Sequence, residues 1–309
     1  MEAIMIGQEF IDSGYPIGKV LGYLNMPKSS FYYQAKEEVK KRGVPKSTHT
    51  RKKGGGWMSN EEVIKDIHEL LGKEFVDYGY IKTMHWLQRV KEYIINKKKV
   101  YRLMKEQGLL NRPVKLTQKG SKTWIKDFVP KPSKSLEYFE MDIKYIYIHG
   151  KKRSALLLSV IDVESRLMIG QKLAWKMKQE DVTCLFDEIF AAYQLPGNIY
   201  IRNDNGSQFE AEMVQEYFKN LQVNQEFTKP ATPEQNAHIE SYHSILEKII
   251  CKGYQFESLQ DAFETMKRWI QFYNRERIHS GIGYQAPIEY LRLKGIDIEK
   301  LMNKEILAA

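Results

Sequence analysis

Leu136-Glu137-Tyr138-Phe139-Glu140-Met141-Asp142-Ile143-Lys144-Tyr145 is the stretch on which the fold turns. It is rich in aromatic and β-branched residues and reads as a strand over 136–148. Phe139, Ile143 and Tyr145 imply that part of it is buried, yet Asp142 sits in its middle, where an unpaired carboxylate is costly. Working outward, 155–163 is a nearly continuous apolar strand and 166–173 a third. Residues 180–194 read as helix, 199–202 as a short strand, 209–221 as helix, 223–227 as strand and 234–251 as a long helix. Three strands in succession, then alternating helix and strand, predict an α/β fold with a mixed five-stranded sheet flanked by helices.

Two further acids stand in telling contexts. Asp204 opens Asp204-Asn205-Gly206-Ser207-Gln208-Phe209, at the carboxyl end of a strand, where α/β sheets place ligands. Asn-Gly is a turn dipeptide that can aim the carboxylate at the sheet edge. Glu240 lies in Pro233-Glu234-Gln235-Asn236-Ala237-His238-Ile239-Glu240-Ser241-Tyr242, with 35 residues between it and Asp204. In an open sheet the first and fourth strands can be neighbours and the long helix can cross their ends. The three acids then converge. Each like-charged pair costs about 4 kcal/mol at about 4 Å and an effective dielectric near 20. Two Mg²⁺ or Mn²⁺ ions, which favour oxygen ligands, relieve that cost and suit phosphodiester chemistry. Taken singly, Asp142 also reads as an edge-strand acid, Asp204 as a turn former and Glu240 as a surface helix residue. No Ser/His/Asp set, Cys/His pair or Gly-rich phosphate loop competes for the role.

The 309 residues, 42% of them hydrophobic, suit two or three domains with a real core. The net charge of +9 is unevenly spread. Residues 1–135 hold 27 Lys and Arg against 14 Asp and Glu, and 136–309 hold 21 against 25. That is the pattern of a nucleic-acid-binding region joined to something else, or of a solvated basic surface. Cys184 and Cys251 have no metal-type spacing and read as small core residues in a reducing cytosol. With no basic leader and no membrane-length apolar run, a cytoplasmic protein is expected.

The first 57 residues are expected to form a helical region and a basic linker. Residues 15–35 read as a helix-turn-helix or a plain helical hairpin, and 36–57, with Lys40-Lys41-Arg42, Pro45, Arg51-Lys52-Lys53 and Gly54-Gly55-Gly56, as the linker. Residues 58–112 predict a helix-turn-helix domain. Ser59 and Glu62 form a capping box ahead of the stripe Val63, Ile64, Ile67, Leu70, Leu71. Ile81, Met84, Leu87 and Val90 predict one face of the next helix. Asn96 caps a third, 97–107, closed by Gly108, with Val100, Leu103 and Met104 inward and Lys97, Lys98, Arg102 and Lys105 outward. Lysines in a first helical turn oppose the helix dipole, which DNA phosphates would offset; ordinary solvated lysines are the other reading. A basic connector over 113–135 leads to the core domain at 136–255, and 256–309 reads as a helical extension with a turn near Gly281-Ile282-Gly283.

At these residues the sequence resembles the DDE transposases of bacterial insertion sequences, of the orfB type, whose core is similar to retroviral integrase. The resemblance covers nearly the whole chain. It rests on the strand aspartate, Asp-Asn-Gly-Ser-Gln-Phe, the gap of 35, Pro-x-x-Asn-x-x-x-Glu-Ser-aromatic, Tyr273-Asn274-x-x-Arg277-x-His279-Ser280 with Pro287, and Tyr78-Gly79-Tyr80 with Val100-Tyr101-Arg102-Leu103-Met104. It implies an RNase H-like core preceded by a helix-turn-helix region. It also implies nicking at element ends, strand transfer by the freed 3′-hydroxyl, and a homo-oligomer holding double-stranded DNA. Asp142, Asp204 and Glu240 would be catalytic metal ligands for two Mg²⁺ or Mn²⁺ ions. Asn205 and Gln208 would touch DNA; Asn236 would contact DNA, hold its loop or act as an N-cap. Arg277 and His279 would contact phosphate, or His279 would pack locally. Two departures stand out: Glu247 where many relatives carry a cation, with Lys248 next, and Ile278 where proline is usual. Asp162 is assigned to a hairpin with Arg166, and His238 and His243 to the surface or the DNA side. The other functions open to such a chain are a DNA-binding regulator with an inactive catalytic fold, and a nuclease that does not join.

Overall fold

The computed structural model describes residues 2–32, 46–111, 132, 134–195, 197–229 and 233–301. The chain divides into two compact units, Met1–Ser47 and Thr48–Ala309. The first contains α1 (Glu2–Asp12), α2 (Ile17–Tyr23) and α3 (Lys28–Phe31). Pro16 and Pro27 stand just ahead of α2 and α3, and Asn25 takes a left-handed φ of 48° between them. Val20, Leu21 and Phe31 are buried. The run Lys40-Lys41-Arg42, Pro45 and nearly all of the 113–135 connector lie outside the described residues.

In the second unit, part of the expected linker is a sheet. β1 (His49–Lys52) pairs antiparallel with β2 (Trp57–Ser59) and with β3 (Tyr93–Ile94). Gly54-Gly55-Gly56 turns the hairpin, with φ of 96° at Gly55 and 84° at Gly56, so the glycines that suggested flexibility instead meet a turn's backbone demand. The capping box forms as expected: Ser59 Oγ accepts from Glu62 N, and the Glu62 carboxylate accepts from Ser59 N. It starts α4 (Asn60–Leu71), followed by α5 (Tyr80–Arg89) and α6 (Lys97–Glu106). Val63, Ile67, Leu70, Leu87, Val100, Leu103 and Met104 build one core. The expected face of α5 is rotated. Thr83, Trp86 and Leu87 are buried, whereas Ile81 and Val90 are exposed, because the bulky Trp86 takes the inward position.

The main sheet contains β4 (Tyr138–Ile148), β5 (Arg153–Asp162), β6 (Met168–Ala174), β7 (Tyr200–Asn203) and β8 (Asn224–Phe227), in the order β6-β5-β4-β7-β8. The first three pair antiparallel; β7 and β8 join parallel to β4. This is the mixed five-stranded RNase H-like arrangement, with the first and fourth core strands adjacent. Asp162 closes the β5–β6 turn, accepting from Leu136 N at 2.9 Å and Ser165 N at 2.8 Å, and its backbone carbonyl accepts from Arg166 N. Burial pushes its carboxyl up to about 6.

Helices cover both faces. On one, Phe139, Met141, Leu158 and Val160 pack on α7 (Gln179–Ala192), α8 (Ser207–Glu210) and α9 (Glu212–Asn220) through Val182, Phe186, Phe209 and Phe218. On the other, Ile146, Ile148, Leu157 and Ile161 pack on α10 (Ala237–Leu246) and α11 (Leu259–Arg275) through Ile239, Tyr242, Leu246 and Trp269. Each such side chain contributes about 1.5–3 kcal/mol by leaving water. The expected long helix 234–251 changes pitch at both ends: a 3-10 turn (Pro233–Asn236) precedes α10 and a π turn (Glu247–Cys251) follows it. α12 (Pro287–Leu293) and α13 (Ile298–Leu301) complete the described chain. Cys184 is exposed and Cys251 only half-buried, so neither is the core residue expected. Among the described residues, no helix is long and apolar enough to cross a membrane.

Candidate active site

Strand register brings the first two acids together. β4 and β7 run parallel with Tyr138 opposite Tyr200 and Glu140 opposite Arg202. Continuing that register by two residues sets Asp204, just past the end of β7, level with Asp142. Side chains alternate along a strand, so Glu140 and Asp142 share one face of β4, and Arg202 and Asp204 share the same face of β7. That face lies under α10.

The amino terminus of α10 is fastened to β4 at several points. Glu140 is 0% exposed and accepts from the backbone N of His238 and of Ile239, both at 2.8 Å. His238 Nδ1 faces its other oxygen at 2.7 Å, which requires the ring to carry its proton on Nδ1. A helix amino terminus has unpaired N–H groups and partial positive charge, and a carboxylate answers both. Asn236 Nδ2 donates to Met141 O at 3.1 Å. One turn further on, His243 Nδ1 stands 3.3 Å from Asp142 Oδ2, whose other oxygen accepts from Ile143 N at 2.7 Å. Glu240, half-buried, lies between these anchors in the first turn of α10.

Asp204 is exposed and held by its turn: Gly206 N donates to Oδ1 at 3.1 Å, and Asn205 Nδ2 donates to Thr228 O at 3.1 Å beyond β8. A Cβ at Gly206 would meet the end of the flexible Gln208 side chain at 2.5 Å and Asp204 Oδ1 at 3.1 Å, so the amide would have to move aside. The Asp204 carboxyl is held above its ordinary value, first by partial burial, then by the negative charges of Asp142 and Glu210, with only the Gly206 bond opposing. Asp142 and Asp204 therefore feel each other. The expected closed cage of three is not drawn tight: among the described residues no three His, Cys, Asp or Glu side chains gather as a metal cluster. Asp142 is engaged by His243, and like charges resist closer approach.

Other expected site residues divide. Lys97, Lys98 and Lys105 are exposed on α6 as anticipated, while Arg102 is half-buried and paired with Glu106 at 3.6 Å. Asn236 is 4% exposed and bonded to β4, which corrects the DNA-contact reading in favour of holding the loop; its side chain makes no cap bond. Arg277, expected at phosphate, is instead 2% exposed, paired with Asp77 at 2.7 Å and set over the rings of Tyr78 and Trp269, so it joins the α4–α6 region to the core. Lys248 pairs with the same Asp77 at 2.8 Å, and Glu247 with Lys144 at 2.9 Å. His243 is buried and His238 half-buried, both turned to carboxylates of β4 and not to the surface. His279 is 8% exposed, with its ring against Tyr273. Two residues escaped sequence reasoning. Glu140 sits two positions before Asp142, and strand alternation alone would have put it on the same face. Asp77 immediately precedes Tyr78-Gly79-Tyr80 but carries no local signal of its distant cationic partners.

The family described as Integrase core domain matches residues 132–233 and, in a second form, 221–287; that described as HTH-like domain matches 58–115. The chain belongs to the integrase-core family. Among its relatives this integrase-core protein is similar to orfB-type insertion-sequence transposases. It is 27% identical to the transposase for insertion sequence element IS904 of Lactococcus lactis, over 47% of this chain and 57% of that protein. The chain thus spans little more than half of that relative's length. It is 23% identical to InsK of insertion sequence element IS150 of Escherichia coli K12, over 89% of this chain and 93% of that one. The catalytic core domain of BIV integrase aligns with 52% of this chain and 96% of its own at 16% identity and a TM-score of 0.38.

Proposed function

We propose that this integrase-core protein is a DDE-type transposase, which nicks double-stranded DNA at the ends of an insertion sequence and joins the freed 3′-hydroxyl to target DNA. The observation that carries the reading is the level placement of Asp142 and Asp204 on parallel neighbours, with the Asp204 carboxyl raised in part by Asp142. Oxygen donors under mutual repulsion fit a divalent cation. Asp142, Asp204 and Glu240 would hold it. Mg²⁺ or Mn²⁺, two per site in this reading, would supply charge neutralisation at the phosphate and ease loss of the attacking oxygen's proton. The protein's own part is positional. Glu140 and Asn236 fix where α10 crosses β4 and hence where Glu240 stands, Asn205 and Gly206 hold the Asp204 turn, and His243 orients Asp142. Exposed Lys97, Lys98 and Lys105 give α6 a basic face suited to phosphate backbone, with Gln208 near the turn as a further contact. A second copy of the chain would bring the other DNA end, in the cytoplasm on nucleoid DNA.

The test is purified full-length protein with Mg²⁺ and a labelled duplex carrying the element end. Nicked and joined products are expected. Asp204→Asn should bind the duplex as wild type does and lose both products by at least ~100-fold. Undiminished joining by that variant would remove the site from consideration, and binding without any product in wild type would favour a regulator.

A further inference from the structure

On the flank of α10 away from Glu240 lies a cavity of about 350 Å³. Its wall combines three separate parts of the second unit: Lys82 from α5, Arg166 from the β5–β6 turn, and His279 after α11, set around His238 and Ser241 of α10. Ala237, Ser241 and Ile245 recur at four-residue spacing and line it, whereas Glu240 is turned by about 100° per residue toward the other side. Among the described residues lining the cavity none is acidic. His279 is 8% exposed, and its Nε2, wholly shielded from solvent, has no hydrogen-bond partner. A buried ring nitrogen left unpaired is costly, and the ring that carries it borders a space large enough for a ligand.

Cations outweigh acids around Lys82 and His279, while Glu140, Asp162 and Glu164 stand near Arg166. Burial and the nearby Arg277 lower the Lys82 ammonium to about 8. Burial, then Arg277, Lys82 and Arg166, hold the His279 ring well below its usual value. The acids within reach are already engaged: Asp77 by Arg277 and Lys248, Glu140 by the α10 amino terminus and His238, Glu164 by Lys294, and Asp162 within its own turn. An anion in the cavity would relieve the crowding of cations around Lys82 and Arg166.

We propose that this cavity receives a backbone phosphate of the bound DNA, gripped by Lys82 and Arg166 beside the His279 ring, with Ser241 as a further donor. This rests on the transposase reading and adds to it a second phosphate contact across α10 from the acids. A guanidinium, here with Nη1 already donating to Val163 O, and an ammonium suit phosphate oxygens, and drawing on α5, α10 and the β5–β6 turn makes the contact sensitive to how the helix-turn-helix region is seated on the core.

The experiment measures binding of the full-length chain to an end-bearing duplex in EDTA, with single phosphates replaced in turn by neutral methylphosphonates. Wild type should lose roughly tenfold in affinity at one position of the series. In Arg166→Gln, and separately in Lys82→Gln, that position should no longer matter, while the other sensitive positions still do. A merely structural role would weaken binding to every duplex and leave the pattern intact, which would overturn the proposal even if one variant folded poorly. Titration of wild type with inorganic phosphate, followed through the His279 ring resonance, distinguishes the sources. Submillimolar saturation with no methylphosphonate position rescued would make the cavity a free-phosphate site and refute the DNA contact. A parallel Mg²⁺ reaction tests the reading beneath: binding with the predicted pattern but no nicking would sink the transposase activity and leave the pocket standing.

Discussion

Two regions on one face of the sheet treat their carboxylates in opposite ways. At the amino terminus of α10, Glu140 is fully buried and meets two backbone N–H groups and an imidazole. At the strand ends beside it, Asp204 is exposed, accepts one backbone bond from its own turn, and faces the charge of Asp142. Depth alone would suggest that Glu140 is the anomalous acid. Counting partners reverses the judgement. Glu140 is a satisfied structural element, and Asp204 is the group whose needs the protein leaves open, as expected where an external ligand supplies the balance.

The sharpest way to break this comparison is to remove Glu140. Glu140→Ala leaves the N–H groups of His238 and Ile239 and the His238 ring without their buried acceptor, and should cost about 3–5 kcal/mol in urea unfolding. Glu140→Gln keeps the volume and one carbonyl acceptor and should cost less. A loss under ~1 kcal/mol for the alanine variant would mean that the clamp does not hold α10, and the assignment of roles on this face would have to be redrawn.

The junction between Asp77 and its two cations offers a second satisfied acid at intermediate depth. Burial works against the Asp77 carboxylate, but Arg277 and Lys248 outweigh it and hold the group below its ordinary value. Arg277→Met should destabilise the protein by about 2–3 kcal/mol at neutral pH, less than a fully buried pair because Asp77 keeps contact with solvent. The sign of the pH dependence follows from the lowered folded-state value. Its contribution is present in full above the unfolded carboxylate value near 4 and is lost as pH falls through the folded one. The difference between wild type and Arg277→Met, measured by thermal melting, should therefore shrink below about pH 4. A gap that is constant with pH would show that Arg277 acts by packing on Tyr78 and Trp269 and not by charge.

Legibility in the sequence follows the range of the interactions. The five core strands could be read because apolar alternation and turn residues are local signals, while the adjacency of β4 and β7 was only one arrangement an open sheet allows. Asp142, Asp204 and Glu240 were visible because each stands in a distinctive local context. The hairpin at His49–Lys52 and Trp57–Ser59 was hidden, since a polar strand with a glycine turn has the composition of a linker and gains its order from β3, some 40 residues on. The partner of Arg277 was hidden for the same reason: the family resemblance implied a phosphate contact, and only the fold reveals Asp77, 200 residues away, beside it. The face of α5 was misassigned because Ile81 and Val90 fit the apolar period as well as Trp86 does, and volume decided between them.

The smallest effect is the most discriminating. If the Asp204 carboxylate is held at a disadvantage by partial burial and by Asp142, neutralising it should help the fold while destroying the chemistry. Its raised folded-state value means that the native protein binds the proton more tightly than the unfolded chain does, so the ionised group is a liability at neutral pH that fades as pH falls. Asp204→Asn preserves the acceptor for Gly206 N and should therefore be more stable than wild type at pH 7 in EDTA. The gain should be no more than ~0.5 kcal/mol, because the side chain is largely open to solvent, and it should vanish below about pH 4. Mg²⁺ should raise the melting temperature of wild type and leave that of Asp204→Asn nearly unchanged, since an ion bound only by the native site stabilises by mass action. A less stable Asp204→Asn, or equal responses to Mg²⁺, would place Asp204 alongside Glu140 as a structural acid and erase the contrast between the two regions.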